Sequence, residues 1–329
     1  MSKRTCSSCR SSRVVCWGHN ASGSQRFRCP NCGISQTLKR RDSVQRNRFS
    51  WLTYWLGGST VAAIARSSRR SKKTIKRSIH WFLDHPPIPK PQPNSHCRLI
   101  IDATWFKRNH CLIVYWDHDR QRVQRWRYTT SENGVEITQD LRWLQDRGVL
   151  CASITSDGGT GLNTAVNLVY PDIPHQRCVV HVQRQGLAWL TRNPKTIPGQ
   201  QLKPFIQELS TIETRERAHQ WTNAIWDWEQ RWSHFLKQRT YFPGTRHWWY
   251  THRSLRKVRA LVIHAIPHVF HYLDDRSIPK TSNGLEGRFG SLKNHYRQHR
   301  GLSKKRREAY LAWYVTVVVN GEKPTRNVL

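Results

Sequence analysis

Acidic residues are scarce. In 329 residues, 21 Asp and Glu stand against 55 Lys and Arg, a net charge of +34. A chain this far from neutrality repels itself unless a polyanion balances it, so nucleic acid or an acidic surface is the expected partner. Long apolar runs are also missing. The longest, Tyr310 to Val319, has ten residues, whereas a membrane span needs about 18. The first residues, Met-Ser-Lys-Arg-Thr-Cys, contain no apolar signal core. Membrane attachment and secretion are therefore not expected, and a cytoplasmic location is. The 17 His form no His-x-His or His-Glu-x-x-His pair, which argues against a histidine-based metallohydrolase. No Ser or Cys nucleophile context is evident, which argues against a covalent protein–DNA intermediate. Collagen-like and low-complexity classes are excluded by composition. Nine cysteines, an odd number, fit a reducing compartment, where cysteine pairs bind metal more often than they form disulfides.

The basic excess sits at both ends. Residues 1–96 hold 19 Lys/Arg and 2 Asp/Glu, residues 97–286 hold 26 and 17, and residues 287–329 hold 10 and 2. Most acids thus lie in the middle, where metal chemistry would need them, although many must be ordinary surface. Residues 85–96 contain five prolines in twelve positions and read as an extended linker between domains. Beyond it, Arg98–Ala103, His110–Trp116 and Arg122–Thr130 read as three consecutive strands. Helical spacing over Val135–Arg147 is followed by a strand at Val149–Ser156. A helix at Thr160–Val169 and a strand at His175–His181 come next. Three strands and then alternating helix and strand describe a mixed α/β sheet. Residues 185–275 read as wholly helical and rich in Trp. A polar segment at 281–300 opens on the helix-start signals Thr281, Ser282 and Asn283. A last helix runs from about Ser303 to Val319.

The N-terminal segment 1–40 has the spacing Cys6-x2-Cys9, nineteen residues, Cys29-x2-Cys32. This is the two-knuckle pattern of a zinc ribbon, in which four thiolates close a structural Zn2+ shell. The segment has few large aliphatics, and metal binding would supply its folding free energy. Cys16 and His19 lie inside the loop and are not expected as ligands. Residues 50–84 read as a helix-turn-helix domain. Val61, Ile64 and Ala65 form one apolar face. After a polar turn Ser71 caps a second helix. Its inward face is Thr74, Ile75, Ser78 and Ile79, and its outward face carries Lys72, Lys73, Lys76 and Arg77. Such a helix suits a major groove, with the cations on phosphates or guanine edges.

Asp102 and Asp157 each end a predicted strand. If those strands are neighbours, both carboxylates reach one sheet edge. A third carboxylate would then complete a cage for two Mg2+ ions, which take hard oxygen ligands. Glu286 is the candidate. On a helix it would share a face with Phe289 and Lys293, so that Glu286 faces metal while Lys293 approaches DNA. Cys178 and His181 have spacing suited to half a zinc site, but no second pair lies near. A structural or DNA-proximal role beside the active site is the expectation. Cys97, Cys111 and Cys151 read as core. Most of the 16 Trp read as core too, while adjacent Trp248, Trp249 and Tyr250 cannot all face one core, and one could stack on a base.

Four local matches occur in order: Leu-Ile-Ile-Asp102, Thr-Ser-Asp157-Gly-Gly, Arg-Cys178-Val-Val-His181, and Asn283-Gly-Leu-Glu286 with downstream Arg300-Gly301. With them the chain resembles the Mutator-like DDE transposases of prokaryotic insertion sequences. The resemblance implies an RNase-H-like core split into residues 97–184 and 276–329 by an all-helical insertion at 185–275. It also implies Asp102, Asp157 and Glu286 as the ligands of two Mg2+ (or Mn2+) ions. Hydrolysis at an element end would free a 3'-hydroxyl that attacks target DNA. The ribbon and helix-turn-helix would recognise terminal inverted repeats in double-stranded DNA. Lys293, Arg300 and the run Lys304, Lys305, Arg306 and Arg307 would hold phosphates. Two ends must be joined, so a homodimer or larger assembly on DNA is expected, associated with the nucleoid. Two other readings stand beside this one: a DNA-binding regulator with an inactive core, and a structure-specific nuclease of similar fold. The chain is more compact than its family pattern, and its insertion is short.

Overall fold

The computed structural model describes residues 5–21, 23–37, 41–106, 110–299 and 301–323. Two compact units are present, one within residues 1–82 and one spanning Leu83–Lys323. In the first, β1 (Val15–His19), β2 (Gln25–Arg28) and β3 (Ser35–Thr37) form an antiparallel sheet in chain order. Its buried apolar content is little more than Cys6, Phe27 and Cys29, too small a core to hold a fold without a further constraint. Three helices follow: α1 (Arg41–Leu56), α2 (Val61–Ser67) and α3 (Lys72–Asp84). Thr60 caps α2 by accepting the Ala63 N–H at 3.1 Å, and Ser71 accepts the Thr74 N–H at 3.1 Å. These caps satisfy donors that a helix start leaves unpaired. Ile64, Ala65, Ile75 and Ile79 are buried, as are Leu52 and Leu56 of α1.

The second unit is built on five strands: β4 (Asn94–Trp105), β5 (Cys111–Asp117), β6 (Arg122–Thr129), β7 (Val149–Ser156) and β8 (His175–Arg177). They lie in the order β6-β5-β4-β7-β8. β4, β5 and β6 are antiparallel, and β7 and β8 run parallel to β4. The result is the mixed α/β sheet that the strand pattern predicts, with three antiparallel strands and then parallel ones reached through helices. Residues alternate between faces. Cys97, Leu99 and Ile101 of β4 join a core with Ile137, Leu141 and Leu144 of α4 (Gly134–Gln145) and Leu162, Ala165 and Val166 of α5 (Thr160–Val169). Ile100, Asp102 and Thr104 take the other face. The starts of α4 and α5 touch through Gly134 and Gly161, where an added Cβ on Gly134 would lie 2.8 Å from the Gly161 carbonyl oxygen.

Two sequence expectations need correction. The strand expected over His175–His181 stops at Arg177. Cys178 then caps α6 (Val179–Leu190), so Cys178 and His181 sit at a helix start, one turn apart on one face. The insertion expected to be all-helical contains a hairpin. α7 (Ile197–Glu208) and α8 (Arg215–Lys237) are followed by β9 (Arg239–Tyr241) and β10 (Trp248–Tyr250), which pair antiparallel. Alternating aromatic and β-branched residues on both sides of Pro243-Gly244 favour strands. α9 (Arg253–Ala265) and α10 (His271–Asp274) close the insertion. Its Trp are largely core: Trp221 and Trp228 are buried and donate their indole N–H groups to the carbonyls of Phe205 and Pro198 at 2.8 and 3.0 Å. The chain returns to the sheet as α11 (Asn283–Tyr296) and α12 (Lys304–Trp313), and α12 continues as a π-helical stretch, Tyr314–Val319.

Not all the central acids are surface or site residues. Asp140 on α4 is fully buried and accepts from Tyr115 Oη at 3.0 Å and Arg127 Nε at 2.6 Å, and it also pairs with Arg125. Removing one partner from such a cluster strands the other charges. Asp140→Ala should therefore lower unfolding free energy by about 3–5 kcal/mol, read as a fall in the urea midpoint; an unchanged midpoint would show that the cluster is not structural.

Candidate active site and metal centres

Asp102 and Asp157 come together through strand register. β4 and β7 pair directly and in parallel, with Ile101 opposite Ser156. The next residues along are Asp102 on β4 and Asp157 just past the end of β7. Asp157 sits in a turn: its Oδ1 accepts the Gly159 N–H at 3.0 Å, and Gly158 has φ +71°. That positive φ favours glycine at 158, and a Cβ there would also displace the Arg177 side chain.

Glu286 arrives from 129 residues further along the chain, and a set of hydrogen bonds fixes its place. The carbonyl of Pro279 accepts from buried Thr155 Oγ1 at 2.8 Å, and that of Lys280 accepts from the Val179 N–H at 3.2 Å. Ser282, fully buried at the start of α11, donates its N–H and its hydroxyl to Cys178 Sγ at 3.4 and 3.6 Å. Its Oγ also lies 3.4 Å from His181 Nδ1. Cys178 in turn donates its N–H to the Ser156 carbonyl at 2.7 Å. The Cys-x-x-His pair thus joins the end of β7 to the helix that carries Glu286, one turn from its start.

The site that results contains Asp102, His181 and Glu286, whose ligand atoms all lie within 4.8 Å of one another. His181 Nε2 is 3.5 Å from Glu286 Oε1. Asp157 is not in that close group, because its carboxylate is turned onto its own loop, yet its charge reaches Asp102 and His181. Arg184, three residues after His181 and so on the same helix face, grips Glu286 with both guanidinium ends at 3.1 and 3.2 Å. Glu132 is linked to this group through its charge: Trp105 Nε1 donates to it at 3.0 Å, and desolvation followed by the charge of Asp157 pushes its carboxyl up. Neither Arg184 nor Glu132 was singled out by sequence reasoning. The spacing of Arg184 from His181 is a usable signal, whereas nothing local marks Glu132.

Electrostatics follow from crowding. Burial, and after it the charges of Asp157 and Glu286, push Asp102 up to about 6 against the opposing charge of His181 and the Ala103 N–H. His181 is raised to about 9, chiefly by its hydrogen bond to Cys178 and then by the Cys178 and Asp102 charges, against burial. Burial pushes Cys178 up, but its bond to His181 and the nearby positive charge outweigh that and hold it below its ordinary value. A group of desolvated carboxylates with a residual negative field fits a hard divalent cation, and the imidazole nitrogen also suits Mn2+.

Cys6, Cys9, Cys29 and Cys32 form a second candidate centre. All four Sγ atoms lie within 4.8 Å of one another, with Cys6–Cys32 at 3.5 Å and Cys9–Cys29 at 3.6 Å. Four 2.3 Å bonds to one Zn2+ give tetrahedral edges of about 3.8 Å, so the thiols fit. No disulfide joins them. The two knuckles match: Arg10 and Gly33 both adopt positive φ and donate to the carbonyls of Cys6 and Cys29. Backbone N–H groups of Cys9 and Ser8 hold the Cys6 thiol down to about 6. Cys16 and His19 are exposed on β1 and outside the cluster.

The proposed DNA contacts divide. Lys72, Lys73, Lys76 and Arg77 are exposed along α3, opposite its buried Ile75 and Ile79. Lys304 and Lys305 are exposed at the start of α12, and Lys293 is half-buried on α11. Arg306 pairs with Asp84 at 3.5 Å. Arg307 does not fit its expected role: it is buried, donating to Tyr128 Oη at 3.2 Å, with its guanidinium 5.9 Å from the Tyr296 ring centroid. One helical turn cannot present four consecutive side chains outward, and Arg307 falls on the inner face. Arg300 lies outside the described residues. Trp248 is 41% exposed, with the Arg239 guanidinium 3.9 Å from its ring centroid.

Two outcomes test these centres. Because Asp102 is raised, its protonated form is favoured in the fold. That contribution is full below about pH 4 and is lost as pH rises through about 6. In magnesium-free buffer at pH 7.5, Asp102→Asn should raise stability by about 1–3 kcal/mol, and the gain should vanish by pH 4. A fall at pH 7.5 would show a carboxylate held by His181 instead. Chelating zinc should abolish the ordered amide signals of residues 5–37; signals that persist would mean that the ribbon folds without metal.

Residues 110–241 match the family model "Transposase, Mutator family", a span that includes Asp157, Cys178, His181 and Arg184 but neither Asp102 nor Glu286. A "Probable transposase for insertion sequence element" from Corynebacterium diphtheriae is 24% identical over 199 residues, 57% of this chain and 54% of the relative. The chain thus spans about half the length of that relative. The magnesium complex of the HTLV-2 integrase catalytic core domain (trimeric form) aligns with 46% of this chain and 90% of its own, at 18% identity and a TM-score of 0.20. That likeness is too loose to carry weight, and the strand order above rests on this chain's own pairing. Over residues 110–241, the chain is thus similar to the Mutator-family transposases.

Proposed function

We propose that the chain binds the terminal inverted repeats of an insertion sequence and catalyses metal-dependent cleavage of the DNA ends, followed by strand transfer into target DNA. One observation carries the reading. In a chain that matches a Mutator-family model over residues 110–241, Asp102 on β4 and Asp157 just past the end of the adjacent parallel β7 lie at one register level, and α11 brings Glu286 to metal-ligating distance of Asp102. Asp102, Asp157 and Glu286 would hold the Mg2+ or Mn2+ ions, with His181 at hand. Such ions activate the attacking oxygen and stabilise the leaving one in an in-line displacement at phosphorus. The chain's own part is positioning and charge. The buried Ser282–Cys178 joint sets the height of Glu286. Arg184 presents a planar two-pronged donor at the same carboxylate, and this geometry also suits a phosphate.

The zinc-held ribbon and the exposed cations of α3 would bind the ends, while Lys304 and Lys305 would hold backbone phosphates. Joining two ends calls for a dimer or larger assembly on DNA.

Two measurements test the reading. A plasmid carrying the gene's own flanking DNA should be cut at the flanks in Mg2+ but not in EDTA, and Glu286→Ala should lose at least about a hundredfold in rate. Cleavage that survives Glu286→Ala would remove that residue from the site. Tight flank binding without cleavage in Mg2+ or Mn2+ would make the chain a DNA-binding regulator. Second, log affinity for the flanks should fall linearly with log salt, with a shallower slope in Lys72→Ala/Lys76→Ala. A salt-independent affinity would overturn phosphate-dominated binding.

A further inference from the structure

Beside the carboxylates lies a cavity of about 600 Å³ that neither the family match nor the metal chemistry accounts for. It opens between the start of α5, the turn after β7 and helices α6 and α9. Its composition differs from the rest of the unit. Trp189 supplies an aromatic wall, Lys257 and Arg177 supply cations, and Asn163 and Asn167 supply amides; no carboxylate lines it among the described residues. Trp189 is half-buried, packs on the helical core, and has Lys257 Nζ 5.9 Å from its ring centroid. The cavity meets the candidate active site at one residue. Gly158 lines it and directly follows Asp157, and Arg177 Nη1 donates to the Gly158 carbonyl at 2.5 Å.

We propose that this cavity takes one unpaired nucleotide of the DNA strand held at the carboxylates, with its base stacked on Trp189 and its phosphate facing Lys257 and Arg177. The inference rests on the DNA-processing reading above and deepens it. Two cations in a lining that holds no carboxylate among the described residues select an anion. An aromatic wall selects a flat ring, and every base offers one. Side-chain amides pair with base edges. A duplex is too wide for a space of this size, so the nucleotide must leave the stack, as a base next to a cleaved or melted end does at modest cost. A simple phosphate site would have no use for Trp189.

The test uses the full, zinc-loaded chain in magnesium-free buffer. Fluorescence anisotropy compares a labelled short single-stranded oligonucleotide with one of equal length whose central residues are abasic. The intact strand should bind about tenfold more tightly. Trp189→Leu keeps an apolar side chain against the helical core but cannot stack, and it should close most of that gap while leaving abasic binding in place. Trp189→Phe should keep part of the gap. Lys257→Ala should weaken both strands equally. Equal binding of the two strands by the unaltered chain would overturn the proposal in favour of a plain anion site. A gap that survives Trp189→Leu would place base stacking elsewhere. Flank cleavage in Mg2+ is read separately: its absence with the gap intact would fault the transposase reading and leave the nucleotide site standing.

Discussion

The candidate site depends on one joint between distant parts of the chain. Ser282, at the start of the helix that carries Glu286, donates to Cys178 Sγ, and the Cys178 N–H is bonded to the carbonyl of Ser156 at the end of β7. The first bond is weak, since sulfur is a weak acceptor, while the second is an ordinary amide–carbonyl bond of 2.7 Å. Both are buried, however, and a buried donor left unpaired costs roughly 1–3 kcal/mol. The joint therefore has one satisfied arrangement, and that arrangement sets Glu286 opposite Asp102. The spacing of Cys178 and His181 follows from this geometry. One turn of helix puts the thiol under Ser282 and the imidazole between Ser282 and Glu286.

Charge is the second constraint. Asp102, Asp157 and Glu286 repel one another in a partly desolvated place, and the fold opposes that repulsion with His181 and Arg184. A site arranged in this way favours cations of two kinds, metal ions at the carboxylates and the protein's own guanidinium and imidazolium at the rim. The same segregation recurs beyond Asp157, where the neighbouring cavity carries only neutral and cationic groups.

Much of this was legible in the sequence, for physical reasons that differ by element. The strands of the sheet were readable because β-branched and aromatic runs ended in polar turns; Val149–Ser156 and Thr160–Val169 have the bounds that their pattern implies. Asp157 was readable as a strand-end acid; Asp102 was expected to end its strand too, but β4 runs on to Trp105, and the adjacency of the two acids needed only that the two strands pair. The hairpin inside the insertion was hidden because Trp, Thr and Tyr serve helix cores and strands alike, and only the turn at Pro243-Gly244 distinguishes them. The end of β8 at Arg177 was hidden because Val179 and Val180 have strong strand propensity, which the helix overrides by docking on the segment before Glu286. Arg307 looked like a phosphate contact because a run of four cations hides which one falls on the inner face. Glu132 and the cavity at Trp189 arise only from tertiary approach and leave no local signal.

The central claim is that three carboxylates from β4, the turn after β7 and α11 hold a pair of divalent ions. Anomalous diffraction from crystals of the chain grown with Mn2+ and a short DNA end tests it most directly. The account predicts two manganese peaks about 3.5–4 Å apart, both touching Asp102, one reaching Asp157 and the other Glu286. A single peak held by Asp102, His181 and Glu286 with Asp157 still turned onto its own loop, or no peak near Asp102, would contradict it.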